Sequence, residues 1–187
     1  IVCSQWLFYL LLRITRLSLF KIDMKNIILD SIDINNKIRR ISFEILEKNF
    51  DENEIFLVGV LPNGKYLSNK ISEFLSQFSK IKLNLHFIEI EKKSRSIDRI
   101  IPSLNSEMVN NKVIVIIDDV MNSGGTLMYS INEMLKFKPK KIQIAVLIER
   151  YYKNFPLNPD YKGLELSTSE TEHVEVKLDG SPKVLIK

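Results

Sequence analysis

Residues 113–135 read VIVIIDDVMNSGGTLMYSINEML, and this stretch decides the predicted fold. With Lys112 it opens on KVIVII, an apolar run rich in β-branched residues that is typical of a strand buried on both faces. Asp118 and Asp119 follow that strand, a loop continues to Thr126, and residues 127–135 return to helical periodicity. The stretch therefore predicts a strand, a loop and a helix in succession, which is the building unit of a parallel α/β sheet.

The same alternation of strands and helices extends to both sides of this stretch. In chain order, the other predicted elements are a helix from about 30 to 49, a strand at 54–60, a helix at 66–78, and strands at 83–90 and 141–148. From residue 149 onward the chain carries several Pro and Gly residues, which predicts an irregular or short-stranded tail. This order predicts an α/β fold with a mostly parallel twisted sheet flanked by helices.

One segment between the predicted strands lacks a clear period. Residues 91–111 are polar, and we predict a long loop there. Loops of that length in compact domains are usually functional, and many of them are lids over a site. Lys92, Lys93 and Arg95 are therefore candidates for a flexible basic loop that closes over an anionic ligand. A solvated basic loop without such a role is the alternative.

The length and the first residues bear on domain organisation. The chain has 187 residues, which corresponds to one domain, and we predict a single domain over 24–187. Residues 1–23 contain the only Cys and the only Trp, and their apolar run at 6–12 is too short to span a bilayer. We predict that they are an extension upstream of Met24 and not part of the fold. An interfacial amphipathic anchor and an extra packed helix are the alternatives.

Composition excludes several classes of protein. Hydrophobic residues make up 45% of the chain and charged residues 27%, so the chain as a whole is not of a disordered class. A single Cys excludes an internal disulfide framework and a cysteine-rich zinc site. The net charge of +4 combines 27 basic with 23 acidic residues, so an anionic partner is permitted but not required.

The loop at 122–126, NSGGT, has the residue types of a phosphate site. Glycines let backbone N–H groups approach an anion, hydroxyls add donors, and the start of the following helix adds positive potential. The carboxylates of Asp118 and Asp119 would repel that phosphate, but they suit sugar hydroxyls or a divalent cation beside it. The stretch therefore predicts a pocket for a phosphorylated sugar, and a plain capped connection is the alternative. The Walker and dinucleotide-binding glycine patterns are absent.

At these residues the sequence resembles the type I phosphoribosyltransferases. The signature of that family is a hydrophobic strand, two acids, an apolar pair and a small Thr/Ser-Gly-x-Thr loop that binds the 5-phosphate of phosphoribosyl pyrophosphate. The matching residues here are Asp118, Asp119, Val120, Met121, Ser123, Gly124 and Thr126. The resemblance implies a parallel sheet flanked by helices, a flexible loop over the site and a small C-terminal hood that selects the base.

Within that family the chain is similar to the pyrimidine-operon regulators, whose members are also uracil phosphoribosyltransferases. The similarity runs from Met24 to about Leu178, and it is carried by VGVLPNGKYLS at 58–68, IQIAVLIER at 142–150 and NPDYKGLELSTSETEHVEV at 158–176. It implies an enzyme that transfers ribose 5-phosphate to a base, preferably uracil, with Mg²⁺ as cofactor. It also implies a cytoplasmic homo-oligomer without a membrane partner.

Two alternatives to a uracil enzyme stay open. One is a nucleotide-sensing regulator of pyrimidine genes that binds RNA and has little or no catalysis. The candidate basic face for RNA comprises Lys37, Arg39, Arg40 and Lys48, and a solvated helix face is the other explanation for it. The second alternative is a hypoxanthine/guanine phosphoribosyltransferase. Those enzymes carry an Asp as acid/base at the position of Asn122, and an asparagine cannot exchange that proton.

The resemblance also implies a role for each candidate site residue. Asp118 and Asp119 are the catalytic pair on the ribose hydroxyls and the Mg²⁺ ligands, directly or through water. The 5-phosphate is expected on Asn122, Ser123, Gly124, Gly125 and Thr126, pyrophosphate on Pro62, Asn63, Gly64 and Lys65, and the base on Ile148, Glu149, Arg150 and Tyr151. The regulator family carries basic residues within the turn at 62–64 and at Gly125, where this chain has none.

Overall fold

The computed structural model describes residues 26–93, 96–169 and 171–187. The elements are, in chain order, β1 (Ile27–Leu29), α1 (Ser31–Lys48), β2 (Glu54–Val60), α2 (Asn63–Phe78), β3 (Lys82–Lys93), β4 (Ser96–Pro102), α3 (Ser106–Val109), β5 (Val113–Met121), α4 (Gly125–Leu135), β6 (Lys141–Arg150), β7 (Tyr161–Leu166), β8 (Val174–Lys177) and β9 (Lys183–Ile186). The predicted extension at 1–23 lies outside the described residues.

A six-stranded sheet forms the centre of the molecule. Its order is β4-β3-β2-β5-β6-β7, and all neighbours pair in parallel except β3 and β4, which are antiparallel. Helix α2 connects β2 to β3 and α4 connects β5 to β6, because such crossovers return the chain to the same end of the sheet, whereas β6 reaches β7 without a helix. The predicted α/β class, with a mostly parallel sheet flanked by helices, is confirmed.

Strand β5 is apolar on both faces because it contributes to two cores. Val115 and Ile117 pack in a cluster with apolar residues of α1 and α2. Ile114 and Ile116 point to the opposite face and pack in a second cluster with residues of α4. Alternate side chains of a strand project to opposite faces of the sheet, so one continuous apolar run serves both layers.

Helix α1 begins with a capped N-terminus, and Asp30 is the N-cap residue. Asp30 accepts hydrogen bonds from the backbone N–H groups of Ile32 and Asp33, at 2.8 and 2.9 Å. The side chain of Asp33 accepts in return from the backbone N–H of Asp30, which completes a capping box. The apolar stripe Ile34, Ile38, Ile41 and Ile45 then faces the sheet and is fully buried.

A second, smaller sheet covers one end of the molecule. It is antiparallel with the order β1-β9-β8, and we refer to these three strands as the hood. Val174, Val176 and Val184 bury the hood against the same core cluster that contains α1 and α2. The tail after residue 149 therefore contains three short strands, of which β7 joins the main sheet.

The predicted long loop over 91–111 is wrong. Strand β3 continues to Lys93 and pairs with β4, with Ile90 opposite Ile100, and α3 follows with Asn105 as its N-cap. Lys92 and Lys93 therefore lie in a strand, whereas Arg95 lies outside the described residues. A hairpin at a sheet edge forms its hydrogen bonds along the backbone and needs no apolar alternation, so its polar sequence concealed it.

The structure also moves the boundary of the loop that follows β5. We predicted a loop from Asp118, but β5 runs to Met121, because β6 continues beside it with Val120 opposite Ile148. Both acids are thus held by strand hydrogen bonding. In the described part of the chain, no helix is long and apolar enough to cross a membrane.

A half-buried carboxylate ties three central strands together at their N-terminal ends. Glu54 begins β2, and its oxygens lie 2.7 Å from Nζ of Lys82 in β3 and 2.8 Å from Nζ of Lys112 before β5. Asn84 donates a further hydrogen bond at 2.9 Å. Hydrogen bonds from Lys112, Lys82 and Asn84 lower the pKa of Glu54 to about 2.

We expect Glu54→Gln to lower the free energy of unfolding by about 1 kcal/mol at pH 7, since both lysines are partly solvated. A carboxylate whose pKa falls on folding stabilises the protein above its ordinary value near 4.5, and this contribution is lost as the pH falls toward 2. Urea unfolding should therefore show a difference between the two proteins that shrinks from pH 5 to pH 2. Glu73→Gln, which breaks the exposed pair with Lys70, is the matched control and should change little.

Candidate active site at the carboxyl ends of β2, β5 and β6

The central sheet creates a cleft where its strand order reverses. The chain leaves β2 toward β3 on one side, and it leaves β5 toward β6 on the other, while β2 and β5 are neighbours. In open α/β sheets such a switch point opens a crevice beyond the carboxyl ends of the strands. The segment 62–65 follows β2, and the segment 118–126 comprises the end of β5 and the loop after it, so the fold brings these two predicted site segments together.

Two glycines allow helix α2 to begin against the strand ends. A Cβ atom on Gly64 would lie 2.6 Å from the carbonyl oxygen of Ile117, and one on Gly59 would lie 2.5 Å from the carbonyl oxygen of Gly64. Real Cβ atoms do not approach backbone this closely. The absence of side chains at both positions therefore lets the 62–65 segment lie directly beside β5.

The two acids have different surroundings. Asp118 is 7% exposed, and its Oδ1 accepts from the backbone N–H of Asp119 at 2.9 Å. Asp119 is half-buried, and its Oδ1 accepts from the N–H of Val120 at 2.9 Å. Its Oδ2 accepts from Nδ2 of Asn63 at 2.7 Å, and the same amide donates to the carbonyl of Val176 at 3.2 Å. Asn63 thus connects the acids to the hood.

The loop after β5 leads into the N-terminus of α4 through a glycine N-cap. Gly124 is the N-cap residue, with φ of +82°, a left-handed conformation that favours glycine. Gly124 has no side chain, so the N-cap residue supplies no acceptor to the N–H groups of the first turn. The N–H of Gly125 donates instead to Oγ of Ser123, at 3.4 Å. A pocket of about 50 Å³ is lined by Asp118 and residues 120–127. First-turn N–H groups and the helix dipole favour an anion, such as phosphate, at a helix N-terminus of this kind.

The segment after β6 supports that loop from outside. The backbone N–H groups of Asn154 and Phe155 both donate to the carbonyl of Ser123, at 3.1 and 3.2 Å. A Cβ atom on Gly125 would lie 3.2 Å from the Phe155 ring, so the aromatic side chain fills space beside the glycine. The position of Phe155 beside Gly125 could not be predicted from the sequence, because an aromatic residue in a Pro-containing loop belongs to no periodic pattern.

The four residues expected at the base lie at one strand end but in different environments. Ile148 is fully buried in the core, whereas Tyr151 is 73% exposed. The buried carboxylate of Glu149 lies 2.6 Å from Nζ of both Lys153 and Lys162. Burial raises the pKa of Glu149, but hydrogen bonds from the two lysines outweigh it and hold the pKa below its ordinary value.

Arg150, the fourth of these residues, connects the loop after β5 to residues that precede strand β8 of the hood. It is 6% exposed, and its Nη1 donates to Oδ1 of Asn122 at 3.0 Å. Its other nitrogens donate to Oγ1 of Thr168 at 2.8 Å and to the carbonyls of Ser169 and Glu172 at 3.0 Å. From the sequence, Thr168 and Ser169 are recognisable only as part of the family resemblance, and their contacts with Arg150 are not.

Lys65 lies on the far side of the cleft. Its side chain is exposed in the first turn of α2, with Nζ 5.6 Å from the centre of the Phe87 ring in β3. Pro62 precedes that turn and carries no side-chain cap, so α2 also presents its N-terminus toward the ends of β2 and β5. The cleft is thus bordered by two helix N-termini without side-chain caps, with two carboxylates between them.

Comparison with known proteins gives this arrangement a family. The family model described as "Phosphoribosyl transferase domain" matches residues 25–180. "Bifunctional protein PyrR" of Fusobacterium nucleatum is 36% identical over 170 residues, which cover 86% of this chain and 96% of that protein. "Pyrimidine operon regulatory protein" of Lactococcus lactis subsp. lactis is 30% identical over 167 residues, covering 86% and 95%.

A solved structure shares the fold. The crystal structure of the hypoxanthine phosphoribosyltransferase of Trypanosoma cruzi superposes with a TM-score of 0.71 at 16% identity. The match covers 86% of this chain and 95% of that one. A cleft with paired acids and a glycine loop, the matching family model and relatives of nearly the same length agree with one another. This chain belongs to the phosphoribosyltransferase family, on the branch that includes the pyrimidine-operon regulators, and it is a phosphoribosyltransferase.

Proposed function

We propose that this protein transfers the ribose 5-phosphate of phosphoribosyl pyrophosphate to uracil, forming UMP and releasing pyrophosphate. The observation that carries this proposal is the pair Asp118 and Asp119 beside the glycine-capped N-terminus of α4. Uracil is favoured because the relatives with the higher sequence identity are pyrimidine regulators. The purine enzyme shares the fold at low identity.

Each part of the substrate has a counterpart in the cleft. The 5-phosphate binds the N–H groups and hydroxyls of residues 123–126. The ribose hydroxyls bind the carboxylates of Asp118 and Asp119, which are strong hydrogen-bond acceptors. Pyrophosphate lies toward the N-terminus of α2, where Lys65 and the backbone of 62–64 face the cleft. Tyr151 offers an exposed aromatic face to the base.

The reaction breaks the bond between C1 of the ribose and pyrophosphate, and a nitrogen of the base forms the new bond to C1. Positive charge develops on the ribose as the leaving group departs. The carboxylates of Asp118 and Asp119 are held in place by backbone N–H groups before substrate arrives, so they stabilise that charge without rearrangement. Two helix N-termini stabilise the anionic phosphate groups on either side.

The donor set fits Mg²⁺ that is shared with substrate. Among the described residues, no group of three or more His, Cys, Asp and Glu side chains forms a metal cage. Mg²⁺ prefers oxygen ligands, keeps several waters and is usually held by one or two carboxylates together with substrate phosphates. Asp118 and Asp119 provide such carboxylates, directly or through water. The ion would neutralise charge on the pyrophosphate.

We expect Asp118→Asn and Asp119→Asn each to lower kcat/KM for UMP formation on the order of 100-fold, because each removes negative charge from the developing cation. Turnover of labelled uracil with phosphoribosyl pyrophosphate and Mg²⁺ measures the effect. Asp51→Asn, at an exposed position outside the cleft, is the control and should match the parent protein. Full activity in both acid variants would contradict the assignment.

The base is tested by a direct competition among candidate substrates. With phosphoribosyl pyrophosphate in excess, we expect kcat/KM to be highest for uracil and lower for hypoxanthine, guanine and xanthine. The physical reason is that Asn122 cannot act as the proton acceptor that the purine enzymes have at this position. A higher value for hypoxanthine or guanine would favour the purine alternative and reject uracil.

A second candidate function is regulation through RNA. It is favoured by the regulator names of the relatives and by the basic face of α1, on which Arg39 lies 5.7 Å from the Phe43 ring. Two other members of that face already have partners. Arg40 donates to the carbonyls of Lys162 and Gly163, and Lys48 lies 4.8 Å from the Tyr161 ring. The remaining cations, half-buried Lys37 and exposed Arg39, would contact phosphates.

If RNA binds on this face, we expect the double change Lys37→Gln and Arg39→Gln to weaken binding of a pyrimidine-gene leader RNA and to reduce its salt dependence. Each lost phosphate contact lowers the slope of log K against log salt by about 0.7 to 0.9. Filter binding at several salt concentrations measures both quantities. UMP formation should be unchanged in this variant. RNA binding that is undetectable in the parent protein would reject this function.

The cytoplasmic location and the homo-oligomer that the sequence implied stay predictions. Both follow from the resemblance to the pyrimidine-operon regulators. Size-exclusion chromatography with light scattering measures the oligomeric state directly.

A further inference from the structure

Arg150 is a buried cation whose described hydrogen bonds all go to neutral oxygens. Its acceptors are Oδ1 of Asn122, Oγ1 of Thr168 and the carbonyls of Ser169 and Glu172. Guanidinium groups carry five N–H donors and no acceptor. A side chain that is 6% exposed and bonded to two segments is fixed in orientation. Arg150 therefore connects the loop after β5 with Thr168, Ser169 and Glu172.

This contact decides the orientation of the Asn122 amide. The oxygen and nitrogen of an asparagine side chain are assigned from their hydrogen-bond partners, and a guanidinium can only donate. Oδ1 must therefore face Arg150, 3.0 Å from its Nη1. The NH₂ group of Asn122 therefore points away from Arg150, and it can only donate hydrogen bonds. Asn122 is itself exposed and lines the pocket beside Asp118.

The position of Asn122 separates it from the phosphate-binding groups. It follows Met121, which pairs with Glu149 at the end of β6, so Asn122 lies on the side of the loop toward β6 and Tyr151. The first-turn N–H groups of α4 begin only at Gly125. The amide of Asn122 is thus placed between the phosphate loop and the strand end where the base is expected.

We propose that Arg150 is a positioning residue that holds Asn122 as a hydrogen-bond donor, and that Asn122 uses this donor to recognise a carbonyl oxygen of the nucleobase. The proposal rests on the proposed function and deepens it, since it names the chemical group that the site selects. Uracil presents a carbonyl where cytosine presents an amino group. A fixed donor therefore favours the oxo-base, and it disfavours a base that directs N–H groups at the same place.

The central variant is Asn122→Asp. Its carboxylate keeps an acceptor for Arg150, and that contact becomes charge-assisted, so the melting temperature should equal or exceed that of the parent protein. The donor toward the base is lost. We expect KM for uracil to rise about tenfold or more, and the ratio of kcat/KM for uracil over cytosine to fall. A purely structural role for Asn122 predicts no such change in the ratio.

Two further variants test the assignment. Asn122→Ala shows whether Asn122 contacts the base or the phosphate of the substrate, and Arg150→Lys shows whether Arg150 acts through Asn122 or contacts the base directly. In Asn122→Ala we expect the rise in KM to affect uracil more than phosphoribosyl pyrophosphate. Arg150→Lys keeps the charge but not the forked geometry, and it should raise KM for uracil in the parent background and add nothing in Asn122→Ala. A rise confined to phosphoribosyl pyrophosphate, or additive effects in the double variant, would overturn the proposal.

Calorimetry of UMP binding tests the recognition of the base carbonyl without catalytic turnover, because it measures only the affinity of the protein for UMP. If the parent protein forms no UMP, the proposed function fails, and weaker UMP binding by Asn122→Asp than by the parent protein would still support the recognition of a carbonyl. Equal UMP affinity in the parent protein and in both Asn122 variants would overturn the inference, even when the enzyme turns over uracil. Undetectable UMP binding by the parent protein would overturn both.

Discussion

The close approach of α2 to the ends of β2 and β5 is the constraint on which the site depends. It exists because Gly59 and Gly64 carry no side chains where backbone atoms would lie within 2.6 Å of a Cβ. The approach puts Asn63 within hydrogen-bonding distance of Asp119. The acids and the N-terminus of α2 therefore lie side by side before any ligand binds, and groups that are preorganised in this way are effective in catalysis because they need not rearrange.

The central layers could be predicted from the sequence because their signals are local. KVIVII identifies a strand that serves two cores, and the Asp30 capping box marks the start of α1. The candidate site segment at 118–126 could be proposed for the same reason, since the acids lie at the end of β5 and the glycine loop follows that strand directly. The hairpin of β3 and β4 was missed because backbone pairing between distant residues leaves little pattern in a polar sequence.

Contacts of single side chains across long stretches of sequence were beyond prediction. Arg150 was expected at the base, but its described hydrogen bonds lead to Asn122 and to the segment 168–172. Asn63 was expected at pyrophosphate through its backbone, whereas its amide links Asp119 to Val176. Both contacts depend on the mutual position of the hood and the main sheet. That position follows from tertiary packing and not from spacing along the chain.

The hood is built from opposite parts of the described chain, because β1 at 27–29 pairs with β9 at 183–186. Strand β9 is synthesised after every other described element, and it lies between β1 and β8 in this sheet. A nascent chain can therefore complete the parallel sheet and the glycine loop while β1 and β8 still lack the strand that joins them. The sheet that carries Val176, whose carbonyl accepts from Asn63, is therefore the last part of the described fold to be assembled.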